Sequence, residues 1–140
     1  MAEIEGYNLP DDLYYHKEHY WAKVDGNTCT VGATDFTQKL AGEISYVMMP
    51  FEGDEVKQGD KIGTMETKKW VGDIYAPISG KVSGVNQALY DDPSAINNSP
   101  YGDGWIVKIE MSNPDELKNL MKGDAAVEWQ KAEIAKHSKG

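Results

Sequence analysis

Residues 63–80 read GTMETKKWVGDIYAPISG. Two adjacent lysines, Lys68 and Lys69, sit where the flanking residues call for a hairpin tip, and Trp70 and Val71 follow directly. Tips favour small polar residues, so a pair of long cations beside an indole needs a reason. The arms on either side are alike. Val56–Gly59–Lys61–Ile62–Gly63 precedes the lysines, and Pro77–Ile78–Ser79–Gly80–Lys81–Val82 follows them. Each arm joins β-forming residues to a Gly turn at a similar distance from the lysines. The pattern predicts two similar half-sheets meeting at a hairpin whose tip lies at an extreme of the molecule.

Outward from the hairpin the pattern is one of short strands. They are expected at Tyr20–Val24, Thr28–Ala33, Ile44–Met48, Lys61–Glu66, Trp70–Tyr75, Gly80–Val85 and Trp105–Glu110. Asp25-Gly26-Asn27, Glu52-Gly53-Asp54 and Gln58-Gly59-Asp60 supply the turns, because Gly and Asn tolerate positive φ. Asp35–Leu40 reads as a short helix. Residues 86–104 have the Pro, Asn and Gly content of a long ordered loop. Asn113-Pro114 predicts a helix start, Leu117, Leu120 and Met121 share a helical face, and Gly123 ends that helix. A second helix is expected from Asp124 to about Lys136. The chain is thus expected to be a single domain, 1–140, with an N-terminal loop 1–18, a β core and a C-terminal helical region 113–137.

Composition excludes several classes of partner. The 140 residues carry 23 acids against 14 bases, a formal charge of −9, and every base is Lys. Nucleic-acid binding calls for a basic footprint and the bidentate contacts of Arg. An anionic membrane would likewise repel this chain. Basic protein surfaces are the fitting partners. No apolar stretch reaches 18 residues, and MAEIEGYNLPDD lacks the basic start and apolar run of a signal peptide, so a cytoplasmic protein is expected. The one cysteine, Cys29 in NTCTVG, has no internal disulfide partner and reads as a buried thiol on a strand.

Catalytic equipment is sparse. His16 and His19, three apart, are weak metal-ligand candidates, so no metal site is expected, and His137 stands alone. No Gly-rich phosphate loop and no nucleophile elbow is present. Asp11-Asp12, Asp54-Glu55, Asp91-Asp92 and Asp115-Glu116 are adjacent acids, which point apart in strands and are solvated in loops. No catalytic residue is assigned. A surface lysine is a poor nucleophile at neutral pH, because its amine is protonated. It becomes useful when it bears a group carrier such as biotin or lipoamide on a long arm. The plain alternative is a solvated pair of lysines that keeps strand edges from pairing.

Residues 27–109 resemble the glycine-cleavage H proteins and their lipoate-binding relatives. The resemblance rests on Val31-Gly32-Ala33-Thr34-Asp35, Gly42-Glu43-Ile44, Tyr46-Val47, Pro50, Gly53-Asp54 and Gly59. It runs on through Glu66-Thr67-Lys68-Lys69, Asp73-Ile74-Tyr75-Ala76-Pro77-Ile78-Ser79-Gly80, Asn86 and Asn97-Asn98-Ser99-Pro100-Tyr101-Gly102-Asp103-Gly104-Trp105. It implies a mainly β hammerhead, or barrel-sandwich, lipoyl domain of two antiparallel sheets with C-terminal helices. In these families the modified lysine stands three residues after the Glu of a Glu-Ser/Thr-X-Lys motif. That implies (R)-lipoate on Lys69, with Glu66, Thr67, Lys68 and Trp70 as flanking recognition residues. Biotin carriers instead place Met on both sides of their lysine, and Met65 is too distant. The lipoate would be attached by a lipoate ligase or lipoyl transferase. Its dithiolane would open to a dithiol, carry a substrate and close again by thiol–disulfide exchange.

Two positions depart from the H-protein pattern. Glu-Ser-Val-Lys-Ala is replaced by Glu66-Thr67-Lys68-Lys69-Trp70. His-Glu-Trp is replaced by His19-Tyr20-Trp21, so a Tyr stands where an acid helps hold the aminomethylated arm in a surface cleft. Asp73, another acid the family places near the arm, is retained. His19 and Tyr20 are therefore arm-cleft candidates. A cationic adduct is better held by a carboxylate than by a phenol. The departures favour the lipoate-binding proteins of sulfur oxidation, which work with a heterodisulfide-reductase-like complex and dihydrolipoamide dehydrogenase, and in which Trp70 would shield a sulfur cargo. The alternative is the glycine-cleavage role, with glycine decarboxylase and aminomethyltransferase as partners. A further alternative is an unmodified interaction module. In all three the chain is a non-catalytic, monomeric carrier or adaptor.

Overall fold

The computed structural model describes residues 2–4, 6–10 and 12–138, without the side chains of residues 2–4, 137 and 138. Eleven strands run in the order β1 (Ala2–Ile4), β2 (Tyr7–Leu9), β3 (Tyr14–His16), β4 (Tyr20–Asp25), β5 (Thr28–Ala33), β6 (Tyr46–Met48), β7 (Glu55–Val56), β8 (Lys61–Glu66), β9 (Val71–Tyr75), β10 (Gly80–Val85) and β11 (Val107–Met111). The helices are α1 (Asp35–Ala41), α2 (Ala88–Asp91), α3 (Ala95–Asn98), a 3-10 helix at Pro114–Asn119 and α4 (Asp124–Ser138). A six-stranded sheet is ordered β3-β4-β5-β11-β10-β7, a three-stranded sheet β6-β8-β9, and β1 pairs with β2. Every pairing is antiparallel. The two main sheets are those the resemblance implies.

The two arms around the lysines stay hydrogen-bonded as they pass from one sheet to the other. At the base β7 pairs with β10 in the six-stranded sheet, with Gly80 opposite Val56. At the crossing, the Gly59 N–H donates to the Ala76 carbonyl at 2.8 Å and the Ala76 N–H to the Asp60 carbonyl at 2.9 Å. Gly59 adopts φ +91°, which allows the sharp turn there. Beyond the crossing β8 pairs with β9 as far as Glu66 opposite Val71. The core fills the space the sheets enclose, and includes Val31, Val47, Met65, Ile74, Ile78, Val82, Ile96 and Ile109. Alternate residues of β10 and β11 turn inward, as half-buried strands require.

The N-terminal loop expected over residues 1–18 is instead partly strand. A turn at Gly6 joins β1 and β2, and β3 pairs with β4, setting Tyr15 opposite Trp21. Three-residue strands are too short to show an alternating pattern, and tertiary contacts decide them: the Tyr15 hydroxyl donates to the Pro10 carbonyl at 2.6 Å, and its ring packs near Trp129. The expected strand at Ile44–Met48 shortens to β6, because the Ile44 N–H is taken by the Asn97 side chain. Trp70 lies outside β9. The long loop carries α2 and α3, and its Asn side chains order it. Asn86 donates to the carbonyls of Asp103 and Trp105, and Asn97 to Gly42. The helix expected at Asn113 is a 3-10 helix ending at Asn119. Leu117 and Leu120 pack on the main core, whereas Met121 leaves the helix, pairs with Tyr15 and packs on a second cluster around Trp21 and Trp129.

Cys29 is buried, and burial pushes its thiol up to about 12. Iodoacetamide at pH 8 should therefore leave the native chain unlabelled and modify it only in denaturant, as intact mass will report. Gly63 on β8 lets β6 approach: a Cβ there would meet the Met48 carbonyl oxygen at 2.2 Å. Gly63→Ala should cost about 1–3 kcal/mol, measured by urea unfolding, as overpacked sites generally do.

Candidate functional site

The tip is a four-residue turn. The Thr67 N–H donates to the Trp70 carbonyl at 2.8 Å, and the Thr67 hydroxyl accepts the Lys69 N–H at 3.3 Å. A hydroxyl that caps a nearby backbone N–H fixes a turn. That is what Thr67 does between Glu66 and the lysines. Glu66 closes the ladder, and its carbonyl accepts from the Ser45 N–H at 2.8 Å. Lys68 and Lys69 are exposed, and with Thr67 they border a groove of about 340 Å3 shared with Ala41, Gly42, Glu43 and Ser45.

Trp70 turns the other way. It lines a cleft of about 630 Å3 with Lys17, Glu18, His19, Tyr20, Phe36, Thr37, Leu40, Ala41, Asp73, Tyr75, Glu133 and Lys136. Four expected site residues, His19, Tyr20, Trp70 and Asp73, thus come together. Thr67, Lys68 and Lys69 border the neighbouring groove, with Ala41 common to both. Phe36, Leu40, Glu18 and Glu133 were not among the expected residues. They come from α1, the β3–β4 turn and α4, segments that only the fold brings together.

His19 and Tyr20 line the cleft, and both also make contacts that hold the fold around it. Tyr20 is buried, and its hydroxyl donates to the Asp73 carbonyl at 2.7 Å. Burial, followed by the neighbouring Tyr75 and Asp73, drives its phenol well above the ordinary value. It ties strand β4 to the free edge of β9. His19 has φ +71°, rare for a residue with a side chain. Its Nε2 lies 2.8 Å from Glu133 Oε1, and its ring lies 4.5 Å from that of Trp129 and 4.8 Å from that of Phe36. His19 thereby fastens α4 to the cleft wall. Nor does the Tyr at position 20 leave the cleft without acids: Glu18, Asp73 and Glu133 all line it, and Asp73 is paired with Lys61 at 3.3 Å. His16 is buried, stacks on Tyr75, and accepts the Glu18 N–H at 3.1 Å, while burial lowers its pKa. Among the described residues, no group of three or more His, Cys, Asp and Glu is arranged to hold a metal ion.

Removing the Tyr20 hydroxyl should strand the Asp73 carbonyl, so Tyr20→Phe should lose about 1 kcal/mol in urea unfolding. Tyr20→Glu should lose more at pH 7, because it buries a carboxylate against a carbonyl. Burial raises that carboxyl above its unfolded value of about 4.3, so its neutral form is the one the fold tolerates. The deficit of Tyr20→Glu should therefore shrink as the pH falls toward 5, where the acid can donate to the carbonyl.

The family model for the glycine cleavage H-protein matches residues 13–133. The glycine cleavage system H protein of Symbiobacterium thermophilum is 50% identical over 119 residues, covering 85% of this chain and 91% of that protein. The one from Carboxydothermus hydrogenoformans is 47% identical over 113 residues, covering 81% and 87%. The crystal structure of a glycine cleavage system H protein from Mycobacterium marinum superposes with a TM-score of 0.75 at 30% identity, over 86% of this chain and 95% of that one. Sequence and fold are thus both shared with these proteins, and this chain belongs to the glycine cleavage H-protein family.

Proposed function

We propose that the chain is a non-catalytic carrier that bears lipoate on Lys69 and shuttles an aminomethyl group between glycine decarboxylase and aminomethyltransferase. The observation that carries this reading is the geometry of the tip. Lys69 is exposed, its backbone is fixed by the Thr67 cap, and its chain neighbour Trp70 opens onto the cleft. A lysine so placed fits a long amide-linked arm: it is accessible to an attaching ligase or transferase and adjacent to a shelter. When bound, lipoate supplies a dithiolane that opens to a dithiol and closes again by thiol–disulfide exchange. The chain's own residues orient and shelter. Phe36, Leu40 and Tyr75 offer apolar wall. Glu18, Asp73 and Glu133 offer carboxylates beside the ammonium groups of Lys17 and Lys136, so a cationic amine cargo has anionic partners there although Asp73 is also paired with Lys61.

The sulfur-carrier reading drawn from Trp70 and Tyr20 gives way to this alternative. Its physical premise was a cleft that had lost its acid, and three acids line the cleft. The relatives described above also all bear the glycine-cleavage name. The heterodisulfide-reductase-like partners therefore drop out, while dihydrolipoamide dehydrogenase remains as the enzyme that would reoxidise the dithiol.

Co-expression with a lipoate ligase should add the mass of one lipoyl group, and peptide mapping should place it on Lys69. Lys69→Ala should abolish the addition, and Lys68→Ala should retain it. Because Lys69 is a surface residue, Lys69→Ala should shift unfolding by no more than about 0.5 kcal/mol. The loaded wild-type chain should support glycine–bicarbonate exchange by glycine decarboxylase, and the Lys69→Ala chain should not. Modification of Lys68, or exchange without loading, would overturn the assignment.

A further inference from the structure

We propose that Trp70 is the resting surface for the arm on Lys69: the open face of its indole holds the arm's apolar stem and sulfurs at the mouth of the cleft. This rests on the reading of Lys69 as the lipoyl-bearing residue, and it assigns a positioning role to a side chain specific to this tip.

Three observations carry it. The first is how Trp70 is seated. A Cβ built on Gly72 would meet Trp70 Cη2 at 1.9 Å, Cζ2 at 2.2 Å and Cζ3 at 2.7 Å. The ring folds back along the strand into the space the glycine leaves open, so one part of the indole is backed by protein. The second is what remains uncovered. Trp70 is still 43% exposed, and it borders the cleft together with Leu40, itself 51% exposed. A large indole held in place with an open surface is prepared to receive an apolar group. The third is direction. Lys69 borders the groove by Ala41 and Gly42, whereas Trp70 borders the cleft, and Ala41 is common to both. An arm leaving Lys69 has two places to lie, and Trp70 favours the one that the acids also line. A stem of methylenes ending in two sulfurs suits an indole, since apolar burial and sulfur–aromatic contact both favour the contact.

Two measurements on mass-verified loaded and unloaded protein test this. In the first, acrylamide quenching of the wild type is compared with that of Trp70→Phe to isolate the Trp70 emission from that of Trp21, Trp105 and Trp129. Loading Lys69 should lower the quenching constant of the Trp70 component by at least about twofold, as expected when a contact of sulfur–aromatic strength covers the ring. In the second, the loaded dithiolane is reduced by a soluble phosphine. Trp70→Ala should speed reduction by about threefold to tenfold, the fraction of time the arm leaves its rest rising by the factor an aromatic contact is worth. Trp70→Phe should fall between. If Trp70 merely packs on Gly72, its emission will ignore loading, and Trp70→Ala will change the melting temperature without changing the reduction rate. Either outcome in fully loaded protein overturns the proposal. Failure of loading itself would instead strike the assignment of Lys69.

Discussion

The Ala76 backbone is where the architecture is joined. Its carbonyl accepts from Gly59 and its N–H donates to Asp60, at 2.8 and 2.9 Å. Through these bonds the two arms leave the six-stranded sheet and enter the three-stranded sheet without parting. A three-stranded sheet with strands of three to six residues needs a buried hydrophobic face to be stable. Here its strands β8 and β9 are the upper half of a ribbon whose base, β7 paired with β10, joins the six-stranded sheet through β11. Met65 and Ile74, fully buried on the upper half, share one core with Val82 and Ile109 on the lower. Loosening the crossing would therefore cost ladder bonds and core contacts together, and the tip inherits the rigidity of both sheets.

Much of this was legible in the sequence where the physics is local. Strands β5, β8 and β10 have the bounds that their alternating and β-branched residues predict. The like arms around the lysines do form a paired ribbon. What could not be read depends on distant partners. Strand β7 has two residues, and exists because β10 lies beside it. Trp70, a strong β-former, is pulled out of the strand because Thr67 closes a turn with its carbonyl. Met121 has helical spacing but leaves the helix to pair with Tyr15.

The site divides in the same way. The choice of Lys69 rests on the family resemblance, and could be made from the sequence because the motif that carries it, Glu66-Thr67-Lys68-Lys69, is contiguous. The cleft is assembled from the β3–β4 turn, α1, the tip with β9, and α4, and no spacing rule spans 17–136. Tyr20 shows how a one-position reading misleads. As a letter in place of an acid it suggests a changed cargo. As a side chain it is a buried strut whose hydroxyl satisfies the Asp73 carbonyl, while charge comes to the cleft from other segments. Tyr20 still lines the cleft, but its hydroxyl is committed to a carbonyl, so the loss of an acid at this one position does not decide the charge of the site.

A fixed tip also dictates where motion must reside. With the turn capped and the ladder closed at Glu66 and Val71, the backbone at Lys69 has little freedom to follow a partner. On the proposed reading, reach would come from the lysine side chain and whatever it bears, with a recess on either side of the tip. Such reach is useful only if one recess holds the arm loosely enough to release it. A wall of exposed indole and leucine meets that demand better than a closed pocket would, because contacts of this kind are worth roughly 1 kcal/mol and break easily. The chain's net charge of −9 would act on a longer scale, favouring approach to basic surfaces. Rigid backbone, loose shelter and long-range attraction are separate requirements of a carrier, and on the reading proposed above different residues would meet them: Thr67 with the Ala76 crossing, Trp70 with Leu40, and the acidic surface.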